Sequence, residues 1–486
     1  MNSENFTRAP RRRPLAAALA LAFALSAVPA WSNQRDTPHG RMHDTADLRA
    51  RLSALAPNAR LSAPLARFLE PPAGPPPVAV TNCDDSGPGS LREAYFNAVD
   101  GTIIDLTQLT CSTITLSGVL TNSPSAANVQ LEGPGKYELT IDAGHNGRVL
   151  VHNGSEQLTV SGMTITNGSY SGIYGGGCIY SYGDVVVGEA IVSNCSMSSS
   201  GTAKAYGGAI YAHGDVLVAA SLITDSTAHA ASADSAGAGI WANSVQIIAS
   251  TISGNTVSGD GSHYARGGGM FSLGDASIKY STITDNEAES GGGVFLIGAA
   301  TEVMEIVNST ISGNRAGGAG GGVFAKYRPF AVSNSTITQN RAGHQIGAGL
   351  YLTYATEIQS SIVANNTSQD GLYASDVGSG YAIAITGANN LIIASNLPLP
   401  ADTITLQPML GPLQNNGGYT MTHALLPGSP AIDHGNNLRG GPYDQRGPSG
   451  ASYFGYERVV GPSADIGAFE FGAPDHIFVN GFEVSI

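Results

Sequence analysis

The stretch "GNRAGGAGGGVFA", Gly313 to Ala325, crowds glycine immediately before an aliphatic residue and an aromatic one. The same phrase recurs as "GGGCIY" from Gly175, "GGAIY" from Gly207, "GAGIW" from Gly237, "GGGMF" from Gly267, "GGGVF" from Gly291 and "GAGLY" from Gly347. Aligning the aliphatic residues, Ile179, Ile210, Ile240, Met270, Val294, Val323 and Leu350, gives steps of 31, 30, 30, 24, 29 and 27, a period of about 28 residues. A second phrase lies between them: "SLITDS" at Ser221, "STISGN" at Ser250, "STITDN" at Ser281, "STISGN" at Ser309, "STITQN" at Ser335 and "SSIVAN" at Ser360. Each unit therefore holds at least two short strands and a variable loop.

Composition decides what kind of repeat this is. Ile, Val, Thr and Tyr fill the units, and glycine sits where each one would cost a helix about 1 kcal/mol. Propeller blades need longer units of four strands. The pattern predicts an all-β fold, a parallel β-helix of about 28 residues per coil, right-handed by the crossover preference, with a short N-terminal capping helix. Val187, Val218, Ile247 and Ile278 align as an inward column. Ile252 and Ile283 follow five residues beyond the last two, an odd step that demands a bend between two strands. The column Asn255, Asn286, Asn314, Asn340 and Asn365 marks a corner where stacked amides can bond to one another. Glycine at the other corner removes both the Cβ clash and the φ restriction.

The chain has 486 residues, 63 of them glycine, 12% charged residues and a formal charge of −14. Arg8 and Arg11 to Arg13, an apolar run from Leu15 to Ala27 and small residues at Val28 and Ala30 predict a signal peptide over 1–30, and no transmembrane span in the mature chain. Its removal would take the charge to −17. Such acidity speaks against nucleic acid and anionic membrane as partners. Residues 31–78 read as a Pro-rich spacer, 79–157 as an N-terminal cap and first coils, 158–397 as β-helix repeats, 398–472 as a C-terminal region and 473–486 as a tail. Ser90 is a candidate N-cap, with Leu91, Ala94, Tyr95 and Ala98 at helical spacing. Cys83, Cys111, Cys178 and Cys195 allow three pairings; proximity favours Cys83 with Cys111 and Cys178 with Cys195.

Three stretches carry a resemblance. "NCDDSGPGSLREAYFNA" from Asn82 resembles the "SLREA" module that precedes β-helices in exported bacterial proteins. The repeats over 158–366 resemble those of polymorphic outer-membrane proteins and other right-handed β-helix proteins. "NNGGYTMTHALLPGSPAIDHGNN", "YDQRGPSG" and "ADIGAFEF", between Asn415 and Phe471, resemble the choice-of-anchor Q domain, and "DHIFVNGFEVSI" resembles short sorting or attachment tails. These resemblances imply export and architecture, and supply no reaction.

The residue after each aliphatic is aromatic: Tyr180, Tyr211, Trp241, Phe271, Phe295, Phe324 and Tyr351. Alternation sends these rings outward, where flat faces suit sugars; the competing reading has them stack on each other for stability. The long loops of the early coils end beside this row. Asp184, Asp215 and Asp275, in "YGDV", "HGDV" and "LGDA", are turn residues or calcium ligands. Asp433, His434, Asp444 and Arg446 form the best candidate catalytic cluster, against a structural ion pair of Arg446 with an aspartate. No nucleophile elbow or phosphate loop occurs. The sequence therefore points to an exported, monomeric binding or adhesion protein of the cell surface or medium, without a required cofactor. Its favoured partner is an extracellular polysaccharide or cell-surface component. A polysaccharide lyase or hydrolase and a ligand-free stalk are the alternatives.

Overall fold

A computed structural model describes residues 74–486 apart from 262, 299–303, 344–345, 449–454, 474–475, 480–481 and 486. The predicted signal peptide and nearly all of the predicted spacer lie outside the described residues. The chain forms a parallel β-helix. One coil shows the plan: Ile179–Ser181 on the first face, Asp184–Gly188 on the second, Ile191–Ser193 on the third and Ser196–Ser199 on the fourth. Among the described residues these faces grow into parallel sheets of 10, 12, 11 and 8 strands. Four strands per coil is more than the sequence phrases announce, because the fourth-face strands hide in the variable loops.

Register follows the sequence columns. Ile179 pairs with Ile210, Ile210 with Ile240, and so on through Met270, Val294 and Val323 to Leu350. These residues, together with Val187, Val218, Ile247, Ile278, Ile252 and Ile283, are at most 1% exposed and line a single continuous core.

Three of the four corners hold a residue in the left-handed region in coil after coil. Between the second and third faces these are Glu189, Ala220, Ala249, Tyr280, Asn308, Asn334 and Ser360; between the third and fourth they are Asn194, Asp225, Gly254, Asp285, Gly313, Gln339 and Asn365. The corner before the first face is glycine throughout, φ between +61° and +68° from Gly207 to Gly347. A Cβ at Gly291 would sit 2.5 Å from the Val294 carbonyl oxygen, so here the side chain itself is excluded.

The polar columns beside two of these corners stitch the coils together. At the first, the backbone N–H groups of Ala190, Ser221, Ser250, Ser281, Ser309 and Ser335 each donate to the serine hydroxyl one coil on, at 3.0–3.2 Å, as far as Ser361. At the second, Asn255 donates from N and Nδ2 to Asn286 Oδ1, at 3.0 and 2.9 Å, and the pattern repeats through Asn314, Asn340 and Asn366. The sequence column ended on Asn365; the structure corrects this by one residue. Val363 pairs with Ile337, which brings Asn366 over Asn340 and leaves Asn365 at the left-handed corner, φ +61°. The ladder ends on a carboxylate: Asn366 N and Nδ2 each donate to Asp376 Oδ1 at 2.9 Å, and Ala394 N donates to its Oδ2. Burial pushes Asp376 up to about 6 against the pull of these N–H donors.

The amino-terminal end is closed as the sequence anticipated. Helix Leu91–Phe96 starts at Ser90, whose hydroxyl accepts from Glu93 N, and it buries Leu91 and Tyr95 on the first coils. Cys83 bonds Cys111 beneath it, and Cys178 bonds Cys195 inside one coil. Val78–Ala79 already pairs with Thr102–Asp105, so the fold begins at the last residue assigned to the spacer.

Residues 408–448 and 455–471 lie along the flank of the later coils. Thr282 Oγ1 donates to the Met421 carbonyl, Thr310 Oγ1 to Gln445 Oε1, and Ala468 N donates to Thr336 Oγ1. Ser312 bonds His423, and Asn308 reaches the Gly440 and Tyr443 carbonyls. The covered surface is thus the third face and its corner from Tyr280 to Ser360.

Asn314→Ala strands two N–H groups of Asn286 and frees the Ile283 and Ser312 carbonyls in a fully buried site. The expected cost is about 2–3 kcal/mol, read as a lower urea midpoint; a loss no larger than that of the exposed Thr227→Ala would overturn the ladder's role.

Candidate ligand-binding face

From Ile179 to Leu352 each strand of the first face is three or four residues long, so alternation fixes one inward aliphatic and one outward ring in each of these seven coils. The outward rings form a ladder. Tyr180 and Tyr211 have centroids 5.4 Å apart at 6°, Tyr211 and Trp241 4.6 Å at 6°, Trp241 and Phe271 6.4 Å at 3°. Phe271, Phe295, Phe324 and Tyr351 continue at 5.5, 4.7 and 4.7 Å. The row runs along the outer side of the sheet, as alternation required, but each ring turns its faces to its neighbours in the row. Tyr180, Tyr211, Phe271 and Phe295 are at most 5% exposed; Trp241, Phe324 and Tyr351 are half-buried.

The long loops of the early coils supply the shielding. Their ends pair as a three-stranded strip, Ala205–Tyr206, Ser235–Ala236 and Ala265–Arg266, laid beside the ladder. Tyr206 stacks on Trp241 at 5.3 Å and 3°, Ala236 packs with Phe271 and Phe295, and the Arg266 guanidinium lies 3.8 Å from the Tyr264 ring centre. The loops wall one side of the aromatic row.

At its amino end the ladder opens into a wider aromatic cluster. Arg148 lies 3.3 Å from the Tyr170 ring centre and 4.8 Å from that of Tyr180, and it donates to the Gly175 and Gly176 carbonyls. Tyr182 stacks flat on His213 at 5.3 Å and meets Tyr180 edge-on at 5.2 Å; Tyr180 Oη lies 3.0 Å from His213 Nε2. Tyr182 is 53% exposed and Tyr174 59%. Burial raises the Tyr180 hydroxyl well above its ordinary range and Tyr211 to about 12, while it lowers His213, so these two hydroxyls and this imidazole are all pushed toward their neutral forms. Sequence reasoning named Tyr180 and Tyr211 but did not single out Tyr170, Tyr182, Tyr206 or Arg148. The signal was in "YGDV" and "HGDV", which place Tyr182 and His213 at one repeat position.

Of the calcium candidates, Asp184 Oδ1 accepts from Asp215 N at 2.9 Å, and Asp215 Oδ1 from Asn243 Nδ2 at 3.2 Å. Among the described residues, Asp184, Asp215 and Asp275 do not gather with other metal-type side chains into a group of three.

The catalytic candidates sit in the flanking C-terminal region. Arg446 Nη2 lies 2.6 Å from Asp444 Oδ2, with Asp444 fully buried and Arg446 3% exposed; Tyr456 and Phe469 rings lie 4.0 and 3.9 Å from the guanidinium. Asp444 also accepts from Glu470 N, and Arg446 donates to the Glu470 carbonyl. Asp433 joins through its N–H to Asp465 Oδ1, while His434 is exposed and bonded to its own turn at the Ile432 carbonyl. Three members were not singled out from sequence: Asp465, Glu470 and the fully buried Arg458, which donates to the Asp465 carbonyl. The arrangement joins strand Tyr443–Pro448 to the turn at 460–471 and holds Asp444 and Arg446 out of solvent.

No family model matches the chain, and no curated protein matches it. Among solved structures it is similar to a crystal structure of pectate lyase Pel9A, at 13% identity and a TM-score of 0.40, over 78% of this chain and 90% of that one.

Burial raises Glu470 to about 7, helped by the Asp465 carboxylate and opposed by Arg458. A carboxyl raised in the folded state adds stability that is complete below its unfolded value and disappears as pH climbs through about 7. Glu470→Gln is therefore expected to flatten the fall in thermal midpoint between pH 5 and pH 7; an unchanged slope would show that Glu470 titrates as it does in the unfolded chain.

Proposed function

We propose that this chain is an exported protein of the cell surface or medium that binds carbohydrate on the outer side of its first face. The observation that carries the proposal is the density of aromatic and hydroxyl groups gathered there, from Tyr170 and Tyr182 through His213 and Tyr206 to Trp241, beside the longest loops. Sugars present apolar C–H faces and polar rims, which aromatic surfaces with hydroxyl and imidazole edges complement. The seven-ring ladder holds this surface rigid, so binding costs little ordering of the side chains. Export is supported by the signal-like amino terminus and by two disulfides, which persist in oxidising compartments. The resemblance of the C-terminal stretch to a choice-of-anchor Q domain favours attachment to the cell surface over free diffusion.

The buried state of Asp444 and Arg446 supports binding without cleavage at that cluster, since neither reaches a chain lying on the surface. Retention on immobilised plant and bacterial polysaccharides, scored together with release of reducing ends and unsaturated uronate, separates the readings. Replacing Tyr182 and His213 together by Ala is expected to weaken retention about tenfold while the fold is kept. Cleavage without retention would instead establish a lyase or hydrolase, and neither signal a stalk.

A further inference from the structure

The turn between the first and second faces has a strict habit in the early coils. Gly183, Gly214, Ser244, Gly274 and Gly298 follow one another there, and a Cβ on Gly183 would fall well inside contact distance of the Glu156 carbonyl oxygen. In the last three coils the habit breaks. Ala325 pairs with Leu352 and Tyr351 with Gly378, and carrying that register past the strand ends brings Tyr327, Tyr354 and Tyr381 into the same column. They are 60%, 50% and 63% exposed. Three large rings in a position kept small elsewhere, none of them serving the core, call for a purpose outside the fold.

We infer that Tyr327, Tyr354 and Tyr381 form a second glycan-binding strip, taking one extended β-1,4-linked chain laid parallel to the coil axis. Coils rise by about 4.8 Å, close to the advance per residue of an extended β-1,4-linked pyranose chain, so successive tyrosines meet successive sugars. The main chain beneath each ring is fixed: Tyr327 N donates to Thr353 Oγ1, the Tyr354 carbonyl accepts from Thr356 Oγ1, and Tyr381 N donates to Ser379 Oγ. Polar groups suited to sugar hydroxyls flank the strip. Lys326 Nζ lies 4.5 Å from the Tyr327 ring centre, and Arg439 pairs with Glu357 at 2.7 Å on the adjoining second face. The strip also borders the end of the ladder, where Gly378 succeeds Tyr351 and no eighth ring follows. The ligand class rests on the function proposed above; the position does not.

The test measures binding of cellohexaose and xylohexaose, with glucose and xylose as monomer controls, by the wild type, by Tyr354→Ala with Tyr381→Ala, and by Tyr182→Ala with His213→Ala. Because the replaced rings are exposed, unchanged thermal midpoints are expected for the Tyr354/Tyr381 variant. The strip requires that one hexasaccharide bind the wild type at least about tenfold more tightly than its monomer, and that the Tyr354/Tyr381 variant lose about tenfold in affinity. Replacing the same pair by Phe should restore most of the loss. Loss only in the Tyr182/His213 variant would overturn the strip and leave the proposed function standing; loss only in the Tyr354/Tyr381 variant would keep the strip and move the binding face. No hexasaccharide binding by the wild type would overturn the strip.

Discussion

The amide of each buried asparagine, reaching both the backbone and the amide of the next coil, is the interaction on which the rest of this molecule depends. Its three nitrogen-to-oxygen links fix the coil-to-coil register to a single residue, because a slip would leave fully buried N–H and carbonyl groups without partners. The serine ladder on the neighbouring corner enforces the same choice independently. Once register is set, every inward aliphatic and every outward ring must lie over its equivalent, and the aromatic face is a consequence.

The amide row is also polar. Every rung donates in the same chain direction, so the positive ends of the amides point toward Asp376, which terminates the row as a buried acceptor. The other end is a hydroxyl and then a disulfide: Ser226 N donates to Asn255 Oδ1, and Cys195 N donates to Ser226 Oγ. Substitutions within one column are thus graded by what the neighbouring coil can still donate or accept.

Much of this was legible in the residues, for physical reasons. Glycine in a fixed place announced a positive φ with a carbonyl pressed against the missing Cβ, and the Ile, Val and Met columns announced the core. Asn365 against Asn366 was not legible, since adjacent asparagines suit the left-handed corner and the ladder equally. Alternation placed the rings outside the core, but it says nothing about whether a ring shows its face to solvent or to its neighbour; that depends on the 4.8 Å rise. Thr282, Thr310 and Thr336, which hold the C-terminal region, occupy the same repeat position as Thr251, which does not, so sequence alone could not locate that contact. Asp444 and Arg446 looked like chemistry because ionisable residues two apart in a polar motif do; their burial, invisible in the sequence, makes them a joint.

A solenoid touches only its nearest neighbours, so its coils ordinarily melt by fraying from an end. Here Met421, Asn436, Gln445 and Ala468 of the flanking segment hold Thr282, Ser360, Thr310 and Thr336 at once, linking coils that share no direct contact. Long-range coupling of this kind ties the carboxy-proximal coils into a cooperative unit, while the coils around Ile191 and Leu222 are joined to their neighbours by strand pairing, the serine column and, in the Ile191 coil, the Cys178–Cys195 bond. Opening any one of the coils that carry Thr282, Thr310, Thr336 and Ser360 must therefore break its bonds to the flanking segment as well as to the two adjacent coils.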